Sequence, residues 1–84
     1  MRSATQERRQ QLVKLLHQKA EEARIAIRKS REDTLRAVQR LFDDKQLRED
    51  EKFKAKDDVQ ELVDAYNGRI EEAVERKEKE ITSL

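Results

Sequence analysis

The sequence predicts an all-α protein, an antiparallel helical hairpin of two long helices. Three observations predict this fold class. Of the 84 residues, 46% are charged, with one Gly and no Pro, a composition typical of long helices. Apolar residues recur at steps of three and four in both halves of the chain. Each apolar stripe is wider than one neighbouring helix covers, so the hairpin is expected to be completed by a further element or by self-association.

The first helix is predicted from about residue 4 to about residue 42. Its apolar residues follow a heptad repeat, and further apolar residues beside them widen this seam into a stripe. Two polar residues occupy central positions of the seam. The predicted seam residues are Val13, Leu16, Ala20, Ala23, Ile27, Ser30, Thr34, Ala37 and Leu41.

A turn is predicted at about residues 43–49, within the segment "DDKQLRED". The apolar period breaks there, and Asp43 and Asp44 favour a turn although the segment has no Pro or Gly. The alternative is one continuous helix, roughly 120 Å long at 1.5 Å per residue. The hairpin is favoured because it buries both stripes without a partner, with Leu47 at its closed end.

The second helix is predicted over residues 50–83. Three acidic residues, Glu49, Asp50 and Glu51, lie at its start, and basic residues lie near its end, as the helix dipole favours. The residues that keep the helical period are Phe53, Ala55, Val59, Leu62, Val63, Tyr66, Ile70, Ala73, Val74, Ile81 and Leu84. Residues 1–84 are accordingly predicted to form a single helical domain.

Charge is divided unequally between the two halves. Residues 1–42 carry eleven Lys or Arg against five Asp or Glu, whereas residues 43–84 carry nine against fourteen. The halves should attract each other when packed side by side, and the basic half is able to face a polyanion.

Three arginines in "RIAIRKSRED" are the candidate binding residues. Arg24, Arg28 and Arg31 share one helix face, and the planar guanidinium suits phosphate oxygens. The charge of this segment and its helical spacing, taken alone, favour a solvated helix face over a nucleic-acid site. The few aromatic residues argue against reading single strands. The surviving nucleic-acid hypothesis is contact with the backbone of structured RNA.

Catalytic, metal and cofactor sites have little support in the sequence. The chain has no Cys and one His, and His17 is interpreted as a boundary residue beside the apolar stripe. Adjacent carboxylates such as Asp57 and Asp58 point in different directions on a helix. A glycine-rich phosphate loop is missing. We therefore predict no enzymatic activity, no metal and no cofactor. Nothing resembles a signal peptide or a membrane span.

Two long segments resemble the ribosome recycling factors of bacteria and organelles. "TQERRQQLVKLLHQKAEEARIAIRKSRED" resembles the start of the family's second long helix, and "KQLREDEKFKAKDDVQELVDAYNGRIEEAVERKEKEI" resembles its final helix. The matching elements include Glu7-Arg8-Arg9, Glu22-Ala23-Arg24, Ala26-Ile27-Arg28, Arg31, Glu49-Asp50-Glu51 and Val59-Gln60. The resemblance covers the chain from about residue 5 to residue 84.

The resemblance implies an L-shaped factor with a three-helix bundle as one arm. A β-rich domain is inserted between the first and second bundle helices, and this chain is expected to hold only the second and third. Family members bind the large ribosomal subunit through the bundle arm and split the post-termination ribosome with elongation factor G. The expected function is thus that of the ribosome-binding arm, as a fragment, with elongation factor G a partner only where the inserted domain is present.

The resemblance also implies which residues bind rRNA. The family's rRNA-contacting arginines map onto Arg24, Arg28 and Arg31, with Arg8 and Arg9 as lesser candidates. The implied compartment is the cytoplasm, or alternatively the matrix of a mitochondrion or plastid.

Departures from the family pattern support a second hypothesis. The family's usual Arg-Asn-Ile/Val-Arg-Arg is here Arg28-Lys29-Ser30-Arg31-Glu32, and Arg48 replaces a capping Ser. Met1-Arg2-Ser3-Ala4 replaces a proline-containing lead-in. These changes fit a divergent organellar member or an excised and redesigned fragment. The alternative function is an engineered or divergent helical scaffold that self-associates without binding ribosomes. Under either hypothesis, the chain is expected to form an antiparallel four-helix dimer that replaces the missing helix.

Overall fold

The computed structural model describes residues 4–83, which form two α-helices joined by a short turn. Helix α1 spans Ala4–Asp43 and helix α2 spans Glu49–Thr82. They pack antiparallel in a body of 66 × 16 × 12 Å. The predicted hairpin is confirmed and the continuous helix is wrong. Leu84, predicted as the last apolar residue of the second helix, lies outside the described residues.

The contact line between the helices leaves the strict heptad after Ile27. The residues of α1 that face α2 beyond this point are half-buried or buried, namely Arg31, Leu35, Val38 and Phe42. The residues that the heptad predicts there are exposed, namely Ser30, Thr34, Ala37 and Leu41. A straight α-helix drifts by about 20° per heptad, so after four heptads the facing position moves by about one residue. The predicted seam is therefore wrong in its second half.

A Schellman motif ends α1 and makes the turn without Gly or Pro. The N–H of Gln46 donates to the carbonyl of Leu41 at 2.8 Å, and the N–H of Lys45 donates to that of Phe42 at 3.0 Å. Lys45 takes the left-handed conformation that this position requires, with φ of 61°. Leu47 is half-buried after the turn, at the closed end of the hairpin, as predicted.

Glu51 and Arg48 form half of a capping box at the start of α2. The backbone N–H of Arg48 donates to Oε1 of Glu51 at 3.0 Å, and its Nε donates to the same oxygen at 3.1 Å. Both bonds hold the pKa of the Glu51 carboxyl below its ordinary value, and the bond from the backbone N–H has the larger effect. The reciprocal bond cannot form because an arginine side chain has no acceptor for the backbone N–H of Glu51.

Replacing Arg48 with Ser should stabilise the hairpin by about 1 kcal/mol. A serine hydroxyl accepts the N–H of Glu51 and completes the capping box, and the lost ion pairs are too exposed to offset the gain. Urea unfolding followed by circular dichroism measures the change. Arg48→Ala is the matched control because it removes the same charge without adding an acceptor. Equal stability of the two variants would show that the cap contributes nothing.

The interface between the helices is sparse. Only Ala20, Val38 and Ile81 are buried among the described residues. Large apolar side chains remain exposed on both helices, namely Leu12, Leu15, Ile25, Leu41, Phe53, Leu62 and Tyr66. Two helices therefore leave much of both apolar stripes uncovered, as their width predicted. Neither α1 nor α2 contains a segment long and apolar enough to span a membrane.

Candidate nucleic-acid interface

Two grooves run along the hairpin, one on each side of the seam formed by Ile27 and Val63. Successive residues of an α-helix are 100° apart, so Arg28 and Ala26 lie on opposite sides of Ile27. The arginine groove is the one on the Arg28 side. The apolar groove is the one on the Ala26 side.

The arginine groove brings together the three main arginines predicted from the sequence. It has a volume of about 410 Å³, and its lining contains three guanidinium groups against one carboxylate. The lining residues are Arg24, Ile27, Arg28, Arg31, Gln60, Val63, Asn67 and Glu71. Both helices therefore contribute a wall, and the charge of the groove favours an anion.

The three arginines differ in what already engages them. Arg24 lies 3.5 Å from a carboxylate oxygen of Glu21. The Nε of Arg31 donates to Oε1 of Gln60 at 3.1 Å. The exposed side chain of Arg28 forms no ion pair or hydrogen bond within residues 4–83, so all its donors are open to a ligand. A free guanidinium offers paired N–H groups to a phosphate.

The groove continues towards the turn as a second, adjoining hollow. Arg31 and Gln60 belong to both, and Arg36 and Lys56 add cationic groups to the extension. Arg36 is engaged by Asp33 through an ion pair. Lys56 comes from α2 and is half-buried. The cationic surface therefore extends beyond the three arginines and draws on both helices.

Arg8 and Arg9 do not join this surface. Arg9 lines a separate hollow with Gln6, Gln10 and Thr82 near the open end of the hairpin. It lies fifteen residues before Arg24, or about 22 Å along the helix. The Nε of Arg9 is buried and has no hydrogen-bond partner within the described residues. Arg8 is exposed on α1.

Sequence reasoning missed the wall that α2 contributes. Gln60, Asn67 and Lys56 line the cationic surface, yet none was singled out as a binding residue. Their position beside the arginines of α1 depends on the register between the helices, which the sequence of either helix does not contain. The one available signal was the resemblance of Val59-Gln60 to the family's final helix.

The apolar groove has a volume of about 340 Å³. Leu62 and Tyr66 are 59% and 50% exposed in its wall, and Arg31 is its one charged lining residue. The remaining lining residues are Ala26, Ile27, Ser30, Thr34, Val59 and Val63. Ser30 and Thr34, predicted as seam positions, therefore lie in this open groove.

His17 bridges the helices at the surface. Its Nε2 lies 3.3 Å from a carboxylate oxygen of Glu78, and about half of the histidine side chain is exposed. Within residues 4–83, His, Asp and Glu side chains form no group of three or more suited to a metal ion. The cationic surface is thus the feature of the described chain with a clear ligand preference.

The family model and the curated relatives that match this chain carry the same family name. The model of the family "Ribosome recycling factor" matches residues 1–82. The ribosome-recycling factor of Carboxydothermus hydrogenoformans is 46% identical over 80 residues, which cover 95% of this chain and 43% of the relative. The ribosome-recycling factor of Burkholderia cenocepacia is 39% identical over 84 residues, which cover 100% of this chain and 45% of the relative. The chain thus spans less than half the length of these curated relatives. No solved structure matches.

Proposed function

Because this chain belongs to the ribosome recycling factor family, we propose that it binds the large ribosomal subunit through the arginine groove. The observation that carries the proposal is the convergence of Arg24, Arg28 and Arg31 on one groove with a single opposing carboxylate. In a longer factor, this hairpin is the arm that holds the factor on the ribosome while it is disassembled. The proposed role is binding, without a chemical step.

The chemistry of the groove selects the RNA backbone as the ligand. No aromatic ring lines it, so bases have no platform on which to stack. Guanidinium groups recognise phosphate oxygens, and RNA helices are bound mostly through phosphates and ribose hydroxyls. Glu32, which departs from the family pattern, is not among the lining residues. The departure therefore adds no second carboxylate to the lining of the groove.

Co-sedimentation with purified bacterial large ribosomal subunits across a salt series tests the proposal. We expect saturable binding at low salt that weakens steeply as salt rises, because each neutralised phosphate releases counterions. Absence of binding at low salt would refute the proposal. Affinity that does not change with salt would also refute it, because phosphate contacts could not then account for the binding.

The proposed function also bears on a second partner, elongation factor G, and on the location of the chain. Contact with elongation factor G is expected only of a chain that also carries the inserted β-rich domain. The location follows that of the ribosome, in the cytoplasm or alternatively in the matrix of a mitochondrion or plastid.

We propose as a second function that the apolar groove binds a second copy of this chain. The groove exposes Leu62 and Tyr66 by half or more, and the charges of the helices favour a copy as its occupant. Helix α1 carries ten basic and six acidic residues, whereas α2 carries seven and twelve. Two hairpins with their turns at the same end place α1 of each copy on α2 of the other. This gives an antiparallel four-helix dimer with opposite charges in contact.

Sedimentation equilibrium over a range of protein concentrations tests the dimer. The variant Leu62→Lys, Tyr66→Lys should remain monomeric, because it removes the apolar surface and places cations against the basic α1 of the other copy. Ile25→Lys is the control, since Ile25 is 51% exposed on the outer side of α1, and it should dimerise like the parent chain. A parent chain that stays monomeric, or a control that dissociates equally, would refute the proposal.

A further inference from the structure

A chain of two hydrogen bonds leads from α2 to Arg31. The Nε of Arg31 donates to Oε1 of Gln60 at 3.1 Å across the interface. The Nε2 of Gln60 donates to Oδ1 of Asp64 at 2.9 Å, one turn further along α2. Gln60 therefore uses both ends of its amide, one on each helix.

The two outer groups fix the orientation of the Gln60 amide. A guanidinium is only a donor and an ionised carboxylate is only an acceptor. The reversed amide would place its NH₂ against the guanidinium and its oxygen against the carboxylate, which loses both bonds and adds two repulsive contacts. Asp64 thus holds the oxygen of Gln60 towards Arg31.

This arrangement leaves the outer edge of the Arg31 guanidinium free. Nε is taken up by Gln60, whereas no hydrogen bond or ion pair engages the two terminal nitrogens within residues 4–83. Those nitrogens form the edge that binds two phosphate oxygens at once. A long side chain held in one orientation loses less conformational entropy when its ligand binds. Arg28, by comparison, has no such support.

We propose that Gln60, held by Asp64, is a positioning residue that presents Arg31 to an RNA phosphate. The inference rests on the proposed function, since it concerns the same groove. It gives α2 a role in RNA binding, which the net negative charge of this helix would not suggest. Asp64 acts on RNA through an arginine, although its own charge repels phosphate.

The pair Asp64→Ala and Asp64→Asn separates positioning from charge. Both variants remove the same negative charge from α2, one turn beyond Gln60, so electrostatics alone predicts equal affinities, both tighter than the parent. Only asparagine keeps an oxygen that accepts the Nε2–H of Gln60. We expect Asp64→Ala to bind purified large ribosomal subunits roughly three- to tenfold more weakly than Asp64→Asn. Equal affinities would overturn the inference.

Gln60→Ala gives a second test, because its effect on RNA binding should depend on whether Arg31 is present. We expect roughly three- to tenfold weaker binding with an unchanged salt dependence, because no charge is altered. In an Arg31→Lys background the same change should have no effect, because lysine has no planar fork to orient. Gln18→Ala, an exposed glutamine on α1, is the control and should bind like the parent. Circular dichroism checks that every variant keeps its helices.

The outcomes separate the two proposals. If Arg31→Ala weakens binding and Gln60→Ala does not, the positioning role is overturned and the proposed function stands. An equal effect of Gln60→Ala in the parent and in the Arg31→Lys background also overturns the positioning role. Absence of binding by the parent chain overturns the proposed function, and the positioning role with it.

Discussion

Replacing Arg28 and Arg31 together with alanine should weaken binding to large ribosomal subunits about 100-fold at low salt. Arg28 has no partner within the described residues, and Arg31 has its outer edge free. If each arginine binds one phosphate, as proposed, the variant loses two phosphate contacts. The slope of log affinity against log salt should also become shallower by about 1.4 to 1.8, because two fewer phosphates are neutralised.

The matched control is the double variant Lys29→Ala, Arg40→Ala. It removes the same charge from exposed positions of the same helix that do not line the arginine groove. A general effect of net charge would weaken both double variants equally. We expect the control to lose less than about threefold in affinity, since only long-range attraction changes. Equal losses would mean that the groove is not the binding surface.

Ala20→Asp should destabilise the hairpin by about 3 kcal/mol or more, whereas Ala37→Asp should cost less than about 1 kcal/mol. Ala20 is 6% exposed at the interface, so an aspartate there loses most of its hydration. Ala37 is exposed on the same helix, where the cost is mainly helix propensity. Urea unfolding followed by circular dichroism measures both.

This comparison also distinguishes the two descriptions of the seam. The heptad repeat places Ala20 and Ala37 alike between the helices, and it predicts similar losses. The structure places only Ala20 there. A loss at Ala37 as large as that at Ala20, measured in a monomeric background such as Leu62→Lys, Tyr66→Lys, would refute the shifted contact line. The same loss seen only in the parent background would indicate that a second copy buries Ala37.

Local features of the fold were predictable because they depend on neighbours in sequence. The two helices follow from apolar steps of three and four, and the turn follows from the break in that period at Asp43 and Asp44. The second half of the seam was not predictable from a strict heptad. A small difference between 3.5 and 3.6 residues per turn accumulates along forty residues, and it exchanges Ala37 for Val38 at the contact.

The candidate site likewise has residues that the sequence predicts and residues that it does not. Arg24, Arg28 and Arg31 were predictable together, because spacings of four and three place them on one face of one helix. Gln60 and Lys56 were not, because their place beside Arg31 depends on the register between α1 and α2. Arg8 and Arg9 were grouped with the triad by resemblance alone, and the length of α1 separates them from it.

Arg31 lines the arginine groove and the apolar groove at once, so a ligand in either groove contacts the same side chain. An occupant of the apolar groove that changes the orientation of Arg31 changes the affinity of the arginine groove for RNA. Linkage requires the converse by the same factor. RNA binding then alters the affinity of the apolar groove for its occupant equally. If both proposed functions hold, Arg31 is the side chain through which self-association on one face and RNA binding on the other affect each other.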